Sequence, residues 1–277
     1  MQIRTPAVAG MFYPEEKNKL SKLIDDCFLH PFGPGKKPPS ESKRKIFGVV
    51  CPHAGYVYSG PIVCDSIYPI SSESPELFII IGPNHWGIGR NVATMKECTW
   101  QTPLGTVETD SESAEEICKL SQFIESDYFS HTREHSLEVQ IPILQKTFSD
   151  FKILPISLIN QTKEIAYDVG LAMAKIARNK NTMIIGSSDF THYEPNEFAH
   201  EQDMALIEPI LEMNVEEFYD VLQKRKVTAC GYGAIASTII ACKELGATKG
   251  ELLRYATSGD VTGDMSSVVG YGSIVFT

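Results

Sequence analysis

Short runs of apolar, β-branched residues recur along the chain and are separated by stretches with helical periodicity. The apolar runs do not alternate with polar residues, which is typical of strands buried on both faces of a parallel sheet. Strands of this kind are predicted at 46–51, 77–81, 153–159 and 183–185, with two further strands at 252–257 and 268–276. A shorter segment, 92–109, is predicted to add an antiparallel hairpin.

Helical periodicity fills most of the chain between these strands. Helices are predicted over 15–29, 60–68, 111–121, 134–147, 163–178, 198–211, 215–225 and 231–245. Strands that alternate with helices predict an α/β fold with a mainly parallel central sheet, flanked by helices on both faces. No internal repeat is visible, and we expect residues 1–277 to form a single domain.

Composition and charge limit which partners the protein is expected to bind and in which compartment it is expected to lie. The formal net charge is −10, so no global positive field would attract nucleic acid or an anionic membrane. The seven cysteines include no CxxC pair, and the sequence shows no secretory signal, so we expect reduced thiols and a cytoplasmic location. The segment 31–45, which contains the basic residues Lys43, Arg44 and Lys45, is predicted to be a hydrated surface loop.

Polar residues that can bind a metal or move a proton follow three of the predicted strands. Strand 46–51 precedes His53, strand 77–81 precedes His85, and strand 183–185 precedes Asp189 and His192. Ligands of open parallel sheets bind outside the carboxyl ends of the strands, so these side chains should converge. A single loop histidine is more often a surface or hydrogen-bonding residue, but three in equivalent positions indicate a site.

A cysteine is the best candidate for a further ligand. Cys230 precedes Gly231 at the start of an apolar helical run, where the helix dipole favours a thiolate, although a small buried packing residue is an equal alternative. Two histidines and a cysteine leave room for water or substrate on a metal, and they suit iron, copper or zinc. Asp189 either replaces Cys230 as a ligand or orients a ligating histidine, and we favour the second role.

A second group of polar residues lies at 131–138. The spacing of His131 and His135 predicts that both lie on one face of a helix starting at Glu134. An ordinary helix start explains the same pattern, because a glutamate near the first turn is common there. We predict that His135 faces the pocket, whereas His30 and His200 are surface residues.

Six ordered motifs between residue 10 and about residue 260 together resemble the Memo family, whose animal members are named as mediators of ErbB2-driven cell motility. They are Gly10-Met11-Phe12-Tyr13-Pro14, Pro52-His53-Ala54-Gly55-Tyr56, Gly82-Pro83-Asn84-His85, Glu134-His135-Ser136-Leu137-Glu138, Ser187-Ser188-Asp189-Phe190-Thr191-His192 and Cys230-Gly231. The resemblance implies a fold similar to class III extradiol ring-cleavage dioxygenases.

The resemblance also implies roles for single residues. Residues matching His53, His85 and Cys230 would coordinate the metal, and Asp189 and His192 match further positions of the pocket. We predict His192, Asp189 and His135 as the catalytic residues. Phe12, Tyr13 and Glu138 would lie at the pocket. Those dioxygenases hold Fe(II) with two histidines and a carboxylate, so a cysteine as third ligand weakens the transfer of ring-cleavage activity.

Three functions follow as hypotheses. The first is a metal-dependent, dioxygenase-like oxidoreductase that acts on an unidentified small molecule, with iron or copper favoured over zinc and His192 acting as acid or base. The second is a binding module with a degenerate pocket for a phosphopeptide-type ligand, although no arginine occurs in any pocket motif. The third is binding and delivery of iron or copper. No nucleic-acid or membrane partner is expected, and a protein partner is left unidentified.

Overall fold

A computed structural model describes residues 2–41 and 44–277 of the chain. Lys43, from the predicted basic cluster, lies outside the described residues. Within them the chain forms twelve strands: β1 (Gln2–Arg4), β2 (Gly48–Cys51), β3 (Leu77–Pro83), β4 (Val92–Thr94), β5 (Cys98–Thr102), β6 (Gly105–Glu108), β7 (Ile124–Ser126), β8 (Lys152–Leu158), β9 (Thr182–Ser187), β10 (His192–Glu194), β11 (Gly250–Thr257) and β12 (Val268–Phe276).

Nine α-helices lie within the same described ranges. They are α1 (Lys17–Leu29), α2 (Tyr56–Ile67), α3 (Ser111–Leu120), α4 (Gln140–Thr147), α5 (Lys163–Asn179), α6 (Asn196–Leu211), α7 (Val215–Arg225), α8 (Tyr232–Leu245) and α9 (Ser258–Thr262). Two short 3₁₀ turns, Tyr68–Ile70 and Phe129–His131, add to them. None of these helices is both long enough and apolar enough to cross a bilayer.

The central sheet has the order β10-β12-β2-β9-β3-β8-β4-β7, with β11 paired to β12. Its middle four strands, β2, β9, β3 and β8, are mutually parallel. Antiparallel pairs extend this block on both sides, β12 with β2 and β4 with β8. The predicted α/β class with a mainly parallel sheet is therefore confirmed.

Alternate side chains of each central strand enter two separate apolar cores, because successive residues of a strand point to opposite faces. In β3, Ile79 and Ile81 pack with α3, α5 and α8 on one face. Phe78 and Ile80 pack on the other face with α1, α2 and α4. Both faces are covered, which explains why the strands are apolar throughout instead of alternating.

A small three-stranded sheet closes the second core. It consists of β1, β5 and β6, with β5 and β6 forming the predicted antiparallel hairpin. Trp100 of β5 is buried in this core. The three-residue strands β1, β7 and β10 were not predicted, since so short a segment carries no readable periodicity.

The predicted helix 134–147 is wrong over its first six residues, because α4 begins at Gln140. The carboxylate of Glu134 accepts hydrogen bonds from the backbone amides of His135 and Ser136. Glu138 is held by Arg4 at the N-terminus of the chain. These side-chain contacts stabilise a turn in place of the first helical turn.

Candidate metal centre

Three loops at the carboxyl ends of the parallel strands bring two histidines and a cysteine together. His53 follows β2, His85 follows β3, and Cys230 precedes α8, which packs on β9 and β3. One ligand atom from each of these residues lies within 4.8 Å of the other two. The predicted group of His53, His85 and Cys230 can therefore hold a metal ion.

The ring of His53 is fully buried and its tautomer follows from its neighbours. Nδ1 lies 2.9 Å from the Ser187 hydroxyl, which donates its proton to the Ser136 carbonyl and accepts a bond from the Gln140 amide. Because a serine has a single proton to donate, His53 must donate from Nδ1. Nε2 is left with a lone pair, and it faces Cys230 Sγ at 3.1 Å.

His85 is oriented by a buried carboxylate. Glu134 accepts a bond from His85 Nδ1 at 2.8 Å and a second bond from its backbone amide at 2.6 Å. Burial opposes the charge of Glu134, but the hydrogen bond and charge of His85 outweigh it and lower the pKa of Glu134 to about 2. The pKa of His85 is raised in turn, since its bond to Glu134 outweighs its own burial. Because Nδ1 is bound to Glu134, Nε2 is the ring nitrogen that His85 offers to an ion.

Cys230 is positioned by the first turn of α8 and the end of β9. Its Sγ accepts the Asp189 amide at 3.3 Å. Gly231 permits this approach, because a Cβ there would lie 2.4 Å from the Ser187 carbonyl oxygen. Burial and the charge of Asp189 raise the pKa of the Cys230 thiol well above its ordinary value. In the metal-free protein, burial and the charge of Asp189 therefore oppose the thiolate that the helix N-terminus favours.

Asp189 and His192 lie beside this group in different ways. Asp189 accepts a bond from the backbone amide of His53 at 2.7 Å, so it fixes the loop and not the imidazole ring. Burial raises its pKa to about 6. His192 donates from Nδ1 to the Thr228 carbonyl at 2.9 Å, which leaves Nε2 free. Tyr193 follows it in the left-handed region, with φ of 62°, at a bulge between β10 and β12.

The two histidines of the 131–138 segment are separated, which overturns the prediction that they share one helical face. His135 stacks on His85, with ring centroids 4.5 Å apart, and its ring also contacts Phe12. His131 is fully buried beside Trp100, on the far side of this segment. His30 is half-buried and His200 is exposed.

A cleft of about 720 Å³ opens beside His85. It is lined by Ala7, Val8, Met11, Phe12, His85, Trp86, Thr132, Arg133 and His135. Tyr13 and Glu138 lie behind this lining and are buried. Glu138 pairs with Arg4 and accepts the Tyr13 hydroxyl at 2.5 Å. No pocket motif contains an arginine, but Arg133, which immediately precedes Glu134, lines the cleft.

The residues that orient the imidazoles of His53 and His85 were not predicted from the sequence. Glu134, Ser187 and Gln140 each contact a residue at least 47 positions away. The available signal was the pair of adjacent residues Glu134 and His135, three positions after His131. That signal was interpreted as the first turn of a helix.

Comparison with known proteins gives a consistent result over nearly the whole chain. A family model described as Memo-like protein matches residues 4–275. The chain is 63% identical over 275 residues to a MEMO1 family protein of Nitrosopumilus maritimus, covering 99% of each. It is 45% identical over 284 residues to a MEMO1 family protein of Methanocaldococcus jannaschii, again covering 99% of each.

One solved structure is similar in fold. An uncharacterized protein of Escherichia coli K12 aligns with a TM-score of 0.54 and 11% identity, covering 83% of this chain and 100% of that one. At this identity the likeness concerns the fold alone.

Proposed function

Because the chain belongs to the Memo-like protein family, we propose that it is a metal-dependent oxidoreductase acting on a small molecule. The ion would be held by His53, His85 and Cys230. The observation that carries this proposal is the convergence of three ligand atoms within 4.8 Å at one edge of the sheet.

The chemistry of the donor set fits a metal. Both imidazoles have Nδ1 committed to a hydrogen bond, His53 to Ser187 and His85 to Glu134. This leaves Nε2 of each ring as the nitrogen whose lone pair can bind a metal ion. The Cys230 thiol donates its proton toward His53 Nε2 across 3.1 Å, so an ion bound between them would take the place of that proton.

Three protein ligands leave a coordination position open, as in catalytic centres. A bound iron or copper ion would supply Lewis acidity and one-electron chemistry there. His192 uses Nδ1 for its bond to the Thr228 carbonyl, so its Nε2 would be the atom that accepts or returns a proton of the substrate. The cleft beside His85 would admit the small molecule.

Metal content is the direct test. We expect protein purified without added metal to carry about one ion per chain, and His53→Ala and Cys230→Ser to retain less than about a tenth of it. His200→Ala and Cys118→Ser, at an exposed site and a half-buried site outside the cluster, should keep the wild-type content. Unchanged content in both ligand variants would overturn the ligand set.

Redox cycling of the bound ion distinguishes an oxidoreductase from a protein whose metal ion has no redox chemistry. Ascorbate under anaerobic conditions should reduce the bound ion, and O₂ should reoxidise it, as followed by electron paramagnetic resonance. A chain that holds zinc alone would contradict the oxidoreductase while preserving the metal site. Transfer of the bound ion to a chelator is a further measurement. If this transfer is faster than any catalytic turnover, the result favours delivery of iron or copper over catalysis.

A phosphopeptide-binding function is the other candidate, and Arg133 at the cleft is the observation that favours it. Phosphate-reading proteins use clusters of arginines, and Arg133 is the only arginine in the cleft lining among the described residues. Titration with a phosphotyrosine peptide and its unphosphorylated form tests it. Equal affinities would remove this candidate.

A further inference from the structure

Arg133 carries a charge that no other group in the described part of the chain neutralises. It forms no ion pair or hydrogen bond there, and its guanidinium lies 5.7 Å from the centre of the Trp86 ring. Arg178 and Arg225, by contrast, each pair with a glutamate. In a chain with a net charge of −10, an unpaired arginine at a cleft favours an anionic ligand.

The walls of the cleft are largely apolar. Met11 and Trp86 keep 73% and 55% of their surface exposed, although large apolar side chains usually gain free energy by burial. Phe12 packs on His135 with ring centroids 4.7 Å apart. Exposed aromatic and thioether groups around a concave surface mark a site for a planar ligand.

The cleft is connected to the proposed metal centre. His85 belongs to its lining and also to the metal-binding group. The His53 ring lies 5.1 Å from the His85 ring and 5.5 Å from the His135 ring. A ligand in the cleft therefore has the cationic Arg133 at the rim and the imidazoles at its inner end.

We propose that this cleft binds a small aromatic carboxylate, with the acid group on Arg133 and the ring between Trp86, Phe12 and Met11. The edge of the ring opposite the carboxylate then faces His85. This inference rests on the proposed function, because it names the class of substrate that would reach the metal centre. The cation–π contact with Trp86, at 5.7 Å, keeps the guanidinium beside the cleft and leaves its N–H groups for a bidentate contact with the carboxylate.

Size and charge favour this ligand over a phosphorylated one. A volume of about 720 Å³ suits a molecule of one or two fused rings. A carboxylate carries a single charge and matches one guanidinium, whereas a phosphate monoester carries up to two charges and calls for several cations. Among the described residues of the lining, Arg133 is the one with a permanent charge.

The test uses three probes of one shape, namely 2-naphthoate, 2-naphthalenemethanol and 2-naphthyl phosphate, titrated calorimetrically. We expect 2-naphthoate to bind about tenfold more tightly than the alcohol, as one charge-assisted contact predicts. Arg133→Gln should abolish this difference and leave the affinity for the alcohol unchanged. Trp86→Ala should weaken binding of both about tenfold by removing the stacking surface.

Arg225→Gln is the matched control, since it removes one exposed charge from α7, away from the cleft. It should change neither affinity. Equal binding of the acid and the alcohol, or a ratio that survives Arg133→Gln, would overturn the proposal. Phosphate binding about tenfold tighter than carboxylate binding would overturn it as well.

The same titrations on Cys230→Ser keep this inference separate from the proposed metal centre. The cleft lining does not include Cys230, so the selectivity for 2-naphthoate should persist in that variant. If the wild-type protein binds its metal but does not prefer 2-naphthoate, the aromatic-carboxylate proposal is wrong and the metal centre is unaffected. Selectivity in a wild-type protein that carries no metal defeats the oxidoreductase and preserves the cleft.

Discussion

At the scale of single residues, the two imidazoles of the proposed centre are held by different groups. His53 donates to a hydroxyl that is itself fixed by Ser136 and Gln140. His85 donates from Nδ1 to the Glu134 carboxylate, which is 1% exposed. A carboxylate increases the basicity of an imidazole more than a hydroxyl does, so we expect Glu134 to have the larger effect on metal affinity.

Substitution of Glu134 by glutamine tests this role. The carboxylate accepts four N–H groups, two from His85 and one each from His135 and Ser136. An amide would turn one donor toward another donor, so we expect metal affinity to fall about 10- to 100-fold, as measured by competition with a chromophoric chelator. Glu164→Gln, at an exposed position in the first turn of α5, should have no effect. An affinity within threefold of wild type would contradict the prediction.

We expect His131 to lower the stability of the folded protein in acid. Both of its ring nitrogens are buried without a hydrogen-bond partner in the described part of the chain. Burial lowers its pKa to about 3, and the charge of Arg4 acts in the same direction. The unfolded chain takes up a proton near pH 6.5 and the folded chain does not, so the contribution of His131 is complete above that pH and declines below it. The loss amounts to about 2 kcal/mol at pH 5.

His131→Phe removes this proton uptake and leaves the backbone carbonyl that Arg4 contacts. Between pH 7 and pH 5, the free energy of unfolding of the variant should therefore fall by about 2 kcal/mol less than that of wild type. Urea titrations of metal-free protein at the two pH values measure it. His200→Phe, on the exposed side of α6, should keep the wild-type difference. Identical pH dependence of His131→Phe and wild type would show that His131 is not the group responsible.

At the scale of elements, local sequence patterns are sufficient to predict the central strands. They are not sufficient for segments whose conformation depends on residues far away in the sequence. Each central strand is a continuous apolar run, so β2, β3, β8 and β9 were predicted within three residues of their ends. The start of α4 was placed six residues early, because Glu134 and Glu138 satisfy the local helix pattern equally well. Their actual partners, His85 and Arg4, are 49 and 134 positions away.

The same distinction applies to the site. Convergence of His53 and His85 follows from parallel strands whose carboxyl ends meet at one sheet edge, which local patterns reveal. Selection of Cys230 over the other six cysteines required the family motif as well. Arg133 and Trp86 were not identified, because an unpaired charge and an exposed ring become visible only when the surrounding contacts are known.

At the scale of the whole molecule, the proposed ligands come from distant parts of the chain. His53 and Cys230 are 177 positions apart, yet their side chains touch. The loop of His53 leaves β2, and the loop of Cys230 precedes α8 and lies against the end of β9, the strand that pairs with β2. Since the unfolded chain does not bring these side chains together, an ion that binds here binds the folded state alone and adds its binding free energy to stability.

We therefore expect metal to raise the unfolding midpoint of the entire chain, which we propose is one cooperative domain. At a free metal concentration about 100 times the Kd, the gain is about 2.7 kcal/mol, or about 5 °C or more in Tm for a domain of this size. Differential scanning calorimetry with added metal and with chelator measures the shift. Cys230→Ser should lose it, and Cys118→Ser, with its half-buried thiol in α3, should keep it. Two transitions of which metal moves only one would contradict a single domain. An unchanged midpoint in protein that demonstrably carries the ion would instead mean that the ion binds the unfolded chain as well as the folded one, and that the three loops do not form the site together.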